Sequence, residues 1–304
     1  MKTHGMITSA TFCGLTIVAI SLLTISAQAQ PMRQARVHTV TESKPVVLYP
    51  ATETVSPNKI TINDAGSYRY IVANGIPAHL VGRFPNRGNP NSIGSQHYQF
   101  RVTTTPTDTG FITPGGGWYW GIGLNGVPFE PGTAEVWHGD FHSGWNYDAM
   151  GGAIPLGLDA NHAHVQPNGA YHYHGLPTGL MDELGWTEDA HSPLIGWAAD
   201  GYPIYALNGD LGDGEGPHKL KSSYQLKASD RPGGNEPTGH HDGTFVQDWE
   251  YVPGSGDLDA CNGAITYSPE FPNGTYAYFV TNDYPYVSRG WKGTPDQSFS
   301  KHRR

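Results

Sequence analysis

Short stretches along the chain alternate apolar and polar positions, with turns between them. Lys59–Ala73, Gln96–Pro106, Thr133–Asp140 and Gly274–Asp283 follow this period, which suits strands with one buried face. The intervals are rich in glycine and proline, at 40 and 24 of 304 residues, and both residues disrupt helix interiors. The pattern predicts a mainly β chain, a single antiparallel β-sandwich-like domain with long loops and one or a few short helices. The one good helix signal is "PTGLMDELGW", with Thr178 expected to cap its start and Gly185 its end. Asn208–Lys219 and Ser229–Gly243, polar and glycine-rich, read as long surface loops.

The one long apolar run, about Ile7 to Ile25, follows a lysine and precedes Ala27-Gln28-Ala29. That order predicts a cleaved signal peptide over residues 1–29, hence a secreted or periplasmic protein with no membrane insertion after cleavage. An uncleaved anchor is the competing reading. No cysteine stands at the cleavage point, which argues against a lipoprotein. Residues 30–57, polar and punctuated by proline, predict a flexible leader, and 58–304 the domain.

Charge removes two classes of partner. Lys and Arg number 18 against 27 Asp and Glu, and nucleic acid or anionic lipid would require a basic footprint. The terminal "SKHRR" reads as a solvated end. Of the two cysteines, Cys13 would leave with the signal peptide, so Cys261 is expected outside any intramolecular disulfide, as a small buried hydrophobe, with a metal-ligating thiolate or an intermolecular bridge as the competing readings.

The densest chemistry lies in "NHAHVQPNGAYHYHG". Pro167 and Asn168 suit the two central positions of a type I turn and Gly169 the left-handed bulge after it, which makes a three-residue hairpin loop flanked by Gln166 and Ala170. Counting outward, His164 falls opposite His172, His162 opposite His174, Val165 opposite Tyr171 and Ala163 opposite Tyr173. Opposed residues share a face, so the four histidines gather on one side and the tyrosines on the other. Four neutral imidazoles at that spacing can converge on one ion at ~2.0–2.1 Å. A two-residue loop would shift the register and split them.

Other polar groups are weaker candidates. His191 is taken as a possible fifth metal ligand. Glu135, His138, Asp140, His142, Asp200, His240, His241 and Asp242 read as surface or structural groups. Asp210, Asp213 and Glu215 offer carboxylates to calcium without the EF-hand spacing, so a solvated loop is expected there. "PNGAYHYH" and "PNGTYAYF" share one frame, as do "NGIP" and "NGVP". Reuse of one hairpin turn is the commoner cause and is the expectation here, over duplicated half-domains.

"NGAYHYHGLP", "HSPLIGWAADGYPIYA", "LDACNG" and "PEFPNGTYAYFVTNDYPYV" together resemble the YHYH-domain family of secreted proteins, over about residues 115–293. The resemblance implies an extracytoplasmic location and brings no reaction with it. "YALNGDLGDGEG" departs from the family's pattern after "GYPIY".

Taken together, the residues point to an extracytoplasmic metal-binding protein, copper preferred and zinc the second choice. Two alternatives stand beside it. One is a histidine-ligated metalloenzyme, hydrolase or oxidoreductase, with an open position on the ion. The other is a module that binds a glycan or small molecule on exposed aromatics among Trp118, Trp120, Trp137 and Trp145. No Gly-x-Ser-x-Gly elbow, phosphate loop or His-Glu-x-x-His helix is present.

Overall fold

The structure, a computed structural model, describes Met1, residues 49–50 and residues 56–301. The chain divides into two compact units, Met1–Met32 and Arg33–Arg304, and the fold described here belongs to the second. The expected signal peptide, Met1 apart, and most of the expected leader lie outside the described residues. Among the described residues no helix is long and apolar enough to cross a membrane.

The fold is mainly β, with few short helices and no barrel. Strands β1 (Ile60–Ala65), β2 (Tyr68–Ala73) and β3 (Tyr98–Thr103) form an antiparallel sheet in that order. Alternate positions turn inward, with Ile71, Phe100 and Val102 buried, while Tyr68, Tyr70 and Val72 on the other face are exposed. Thr133–Asp140 departs from expectation. Left-handed backbone at His138 (φ 54) and Gly139 (φ 72) winds Trp137–Gly139 into a 3-10 turn, leaving only an isolated bridge between Val136 and Asn146.

The second sheet has eight strands: β4 (Gly121–Gly123), β5 (Pro128–Phe129), β6 (Ala163–Val165), β7 (Tyr171–Tyr173), β8 (Gly196–Ala198), β9 (Pro203–Ala206), β10 (Gly263–Thr266) and β11 (Thr275–Val280). Their order is β10-β11-β9-β8-β4-β5-β7-β6. Two pairings, β5 with β7 and β9 with β11, are parallel, so the sheet is mixed where antiparallel pairing alone was expected.

That order reads alike from both ends. An antiparallel hairpin (β4-β5, β8-β9) lies parallel to the inner strand of a second antiparallel pair (β7-β6, β11-β10) in each half. The halves meet at β4 and β8, where Gly123 pairs with Gly196 and Gly121 with Ala198. Across that seam Leu124 donates to the Ile195 carbonyl at 2.9 Å, and Ala199, its counterpart, to the Trp120 carbonyl at 3.0 Å.

The correspondence extends to loops. Gly126 donates to Gly123 at 2.8 Å with φ 79, and Gly201 to Ala198 at 2.9 Å with φ 95, so "LNGVPFE" matches "ADGYPIY". Asp159 accepts the backbone N–H of Asn161 at 2.9 Å, as Asp259 accepts that of Cys261 at 2.8 Å. His162 (φ 52) and Asn262 (φ 54) share a left-handed conformation. The eight-stranded sheet is therefore internally duplicated, which corrects the expectation of a merely reused turn.

Helix α1 (Thr178–Glu183) forms where its sequence signal lies, but with a different start. Thr178 is already helical, and its hydroxyl donates to the Ala160 carbonyl and Asn161 Oδ1. Asn161 supplies the cap from outside the helix by accepting the Gly179 N–H at 2.8 Å. The C-terminus ends as expected on Gly185 (φ 76), with Gly185 bonded to Asp182 and Trp186 to Met181 in a Schellman motif.

Candidate metal centre

The hairpin β6-β7 carries the candidate site. Gly169 donates to the Gln166 carbonyl at 2.8 Å and Gln166 to Ala170 at 2.9 Å, closing the three-residue loop with Gly169 left-handed (φ 87). The register follows, with His164 opposite His172, Val165 opposite Tyr171 and Ala163 opposite Tyr173.

The tyrosine face is locked into the core. Tyr171 donates to Asp159 at 2.7 Å, while the Tyr173 hydroxyl meets His79 Nε2 at 2.5 Å and accepts from Asn125 at 2.9 Å. Asp159 also accepts the Gly82 N–H at 2.9 Å. Each buried hydroxyl is satisfied, so the hairpin cannot slip by one residue without stranding these partners.

On the other face His164, His172 and His174 come together. Ring centroids lie 4.7, 4.8 and 4.7 Å apart over the three pairs, and one ligand atom from each falls within 4.8 Å of the others. His174 Nε2 stands 3.1 Å from His164 Nε2. His164 Nδ1 lies 2.8 Å from the Leu156 carbonyl and His172 Nδ1 3.1 Å from the Ala170 carbonyl. A carbonyl only accepts, so both Nδ1 atoms carry the proton and both Nε2 atoms are unprotonated acceptors, that of His164 accepting from His174 Nε2. His174 Nδ1 is buried with no hydrogen-bond partner.

Burial lowers the pKa of all three, most strongly for His172 and His174, and the neighbouring imidazoles lower those two further. The group is therefore neutral at ordinary pH and offers lone pairs, which is the state a metal ion requires. Three imidazoles with a fixed tautomer on two of them, ring nitrogens facing one another and an orphaned polar atom fit a transition-metal ion.

The other expected ligands lie elsewhere. The left-handed backbone of His162 turns its ring out of the group, and its Nδ1 lies 2.9 Å from the Leu176 carbonyl. His191 is engaged at both nitrogens, by the Ser192 carbonyl at 2.7 Å and the Thr266 hydroxyl at 3.0 Å. Glu135, His138, Asp140 and His142 are exposed, whereas Asp200 is buried against Tyr278. Trp120 and Trp145 are 1% and 8% exposed, so neither is a stacking platform for a glycan. Cys261 is a free thiol at 1% exposure, with burial pushing its pKa to about 12.

One acidic neighbour escaped the sequence reading. Glu130 follows β5, donates its backbone N–H to the Tyr173 carbonyl at 2.9 Å and puts Oε2 3.9 Å from His172 Nε2. Gln166 donates to the same oxygen at 2.5 Å, and Lys301 pairs with Oε1. Lys301 belongs to the tail expected to be solvated. Asp159 and Asn161 were missed as well, although "DANH" and "DACN" repeat one frame.

The family model described as YHYH protein matches residues 99–293. The chain belongs to the YHYH protein family. No curated protein and no solved structure matches it. In this YHYH protein the four motif letters divide by face: Tyr171 and Tyr173 fix the hairpin, and His172 and His174 serve the candidate site. The match reaches beyond the motif to Glu130 and to both halves of the duplicated sheet, and it stops short of Lys301.

Proposed function

We propose that the chain is an extracytoplasmic metal-binding protein in which His164, His172 and His174 hold a single ion, copper preferred and zinc second. The convergence of three neutral imidazoles from one hairpin carries this reading. Imidazole suits both metals, and an extracytoplasmic compartment favours copper. The export signal expected over residues 1–29 supports the location.

Holding an ion is preferred over turning over a substrate. His172 and His174 are 1% and 2% exposed, and only His164 is partly open. A metalloenzyme needs an accessible position on its ion, and this arrangement encloses two of the three ligands.

Elemental analysis of protein purified from its native compartment, followed by competition titration with Cu(II), Cu(I) and Zn(II), tests the reading. The expected result is one ion per chain and a loss of binding in His172→Ala. A folded wild-type chain that neither carries nor takes up any of these ions would end it.

A further inference from the structure

A dication held only by neutral imidazoles would be a buried charge without compensation, which costs several kcal/mol even after relaxation. Among the described residues Glu130 brings a carboxylate oxygen beside a ring nitrogen of the site, while Glu135 and Asp159 act on His164 as further charges. Glu130 Oε2 and the bare His172 Nε2 are both acceptors, and they stand 3.9 Å apart. Two acceptors so placed repel unless a positive charge or a donor comes between or beside them. Gln166 donates to Glu130 Oε2 at 2.5 Å and Lys301 supplies positive charge at the other oxygen, with its ammonium also 5.0 Å from the Tyr119 ring centroid.

The duplicated sheet provides an internal control. Tyr173 pairs with Phe129 in one half and Tyr278 with Ile204 in the other, so Glu130 corresponds to Tyr205. By the same alignment His164, His172 and His174 correspond to Ala264, Ala277 and Phe279. Tyr205, Ala277 and Phe279 form an apolar cluster with Leu220 and Leu258, and Ala264 packs against it. The half without the histidines thus lacks the carboxylate too, and all four places hold residues that need no ion.

We propose that Glu130 is the charge-balancing carboxylate of the histidine site and sets its preference for a divalent over a monovalent ion, with Lys301 as the cation that Glu130 holds when no metal is bound. This rests on the reading that the three histidines bind a metal ion. Lys301 opposes a metal cation and Glu130 favours it, so the two substitutions should act in opposite directions.

Competition titrations with Zn(II), Cu(II) and Cu(I) on wild type, Glu130→Gln, Glu130→Asp, Lys301→Met and His172→Ala test the proposal, with circular dichroism verifying each fold. Glu130→Gln should weaken Zn(II) and Cu(II) binding by about 10- to 100-fold and weaken Cu(I) binding markedly less, because the attraction scales with the charge of the ion. Glu130→Asp should restore most of the divalent affinity, and Lys301→Met should raise it. An unchanged divalent affinity in Glu130→Gln, or an equal loss for all three ions, overturns the role of Glu130 while wild-type binding survives. If wild type binds none of the ions, the underlying reading fails instead. If Glu130→Gln does not fold, Lys301→Met decides, and divalent binding that is unchanged or weaker there overturns the proposal.

Discussion

At one end of the eight-stranded sheet His172 and His174 stand beside Glu130, and at the other Ala277 and Phe279 stand beside Tyr205. The backbones correspond down to single hydrogen bonds. Asp159 and Asp259 close the same turn, Tyr171 and Tyr276 donate to them, and Tyr173 and Tyr278 bond to the corresponding residues Asn125 and Asp200. What the framework requires is therefore kept in both halves, and what differs lies on one face of one strand pair. Burying a phenylalanine there contributes about 1.5–3 kcal/mol. The histidine face instead leaves His174 Nδ1 unpaired, at about 1–3 kcal/mol. A site that costs stability where its twin gains it is one whose residues are explained by a ligand.

The largest expected effect comes from erasing the difference. His172→Ala combined with His174→Phe gives the first half the side chains of the second, and competition titration should find its metal affinity lost by far more than the about 10- to 100-fold of an outer-shell change. Thermal unfolding of the metal-free form should occur at a higher temperature than in wild type, because the orphaned nitrogen is gone and an apolar ring is buried. A metal-free double variant less stable than wild type would mean that the two halves do not pack alike.

The hairpin was legible because its register depends on local turn chemistry, and Pro167-Asn168-Gly169 specifies that turn within three residues. His162 shows where such counting fails. Opposition across a strand pair presumes extended backbone, and the turn closed by Asp159 leaves His162 left-handed one residue before β6 begins. Glu130 was not legible, because it reaches His172 through a parallel pairing between strands about 40 residues apart, and such pairings leave no local signature. In the sequence the duplication shows as the "PNG" echo and the shared frame of "DANH" and "DACN", whereas "NGVP" echoes "NGIP", outside the duplicated sheet, and its structural counterpart is "DGYP". The repeated elements are two to six residues long, and intervening loops separate the matching halves by different spacings.

The shared turn offers a subtler test. Asp159 is 6% exposed and accepts from Asn161, Gly82 and Tyr171, whereas the Asp259 side chain is 32% exposed and opens to water. Asp159→Ala strands buried donors and should cost about 3 kcal/mol, against about 1 kcal/mol for Asp259→Ala, where water replaces the lost acceptor. Urea unfolding measures both. Equal costs would mean that the first turn gains nothing from its deeper burial and does not anchor the histidine hairpin more firmly.

The smallest effect is one of sign, and it also separates the halves. Burial holds His164, His172 and His174 below 6.5, so below that pH the unfolded chain binds more protons and the metal-free protein loses stability as pH falls. Asp200 behaves oppositely. Burial raises its pKa from 3.8 to about 6, against the hydrogen bonds of Tyr278 and Gly293. Between those values the folded chain holds the extra proton, so this group adds stability as pH falls through the window. Glu130 and Asp148, also raised by burial, act in the same direction. Asp200→Asn gives the second half the residue type found at Asn125, and it removes part of the opposing contribution. Metal-free Asp200→Asn should therefore lose stability more steeply than wild type between about pH 6 and pH 4. The double histidine variant should lose it less steeply. Urea midpoints collected across that range would break the comparison if both variants kept the wild-type slope, because the acid response would then arise outside the two corresponding sites.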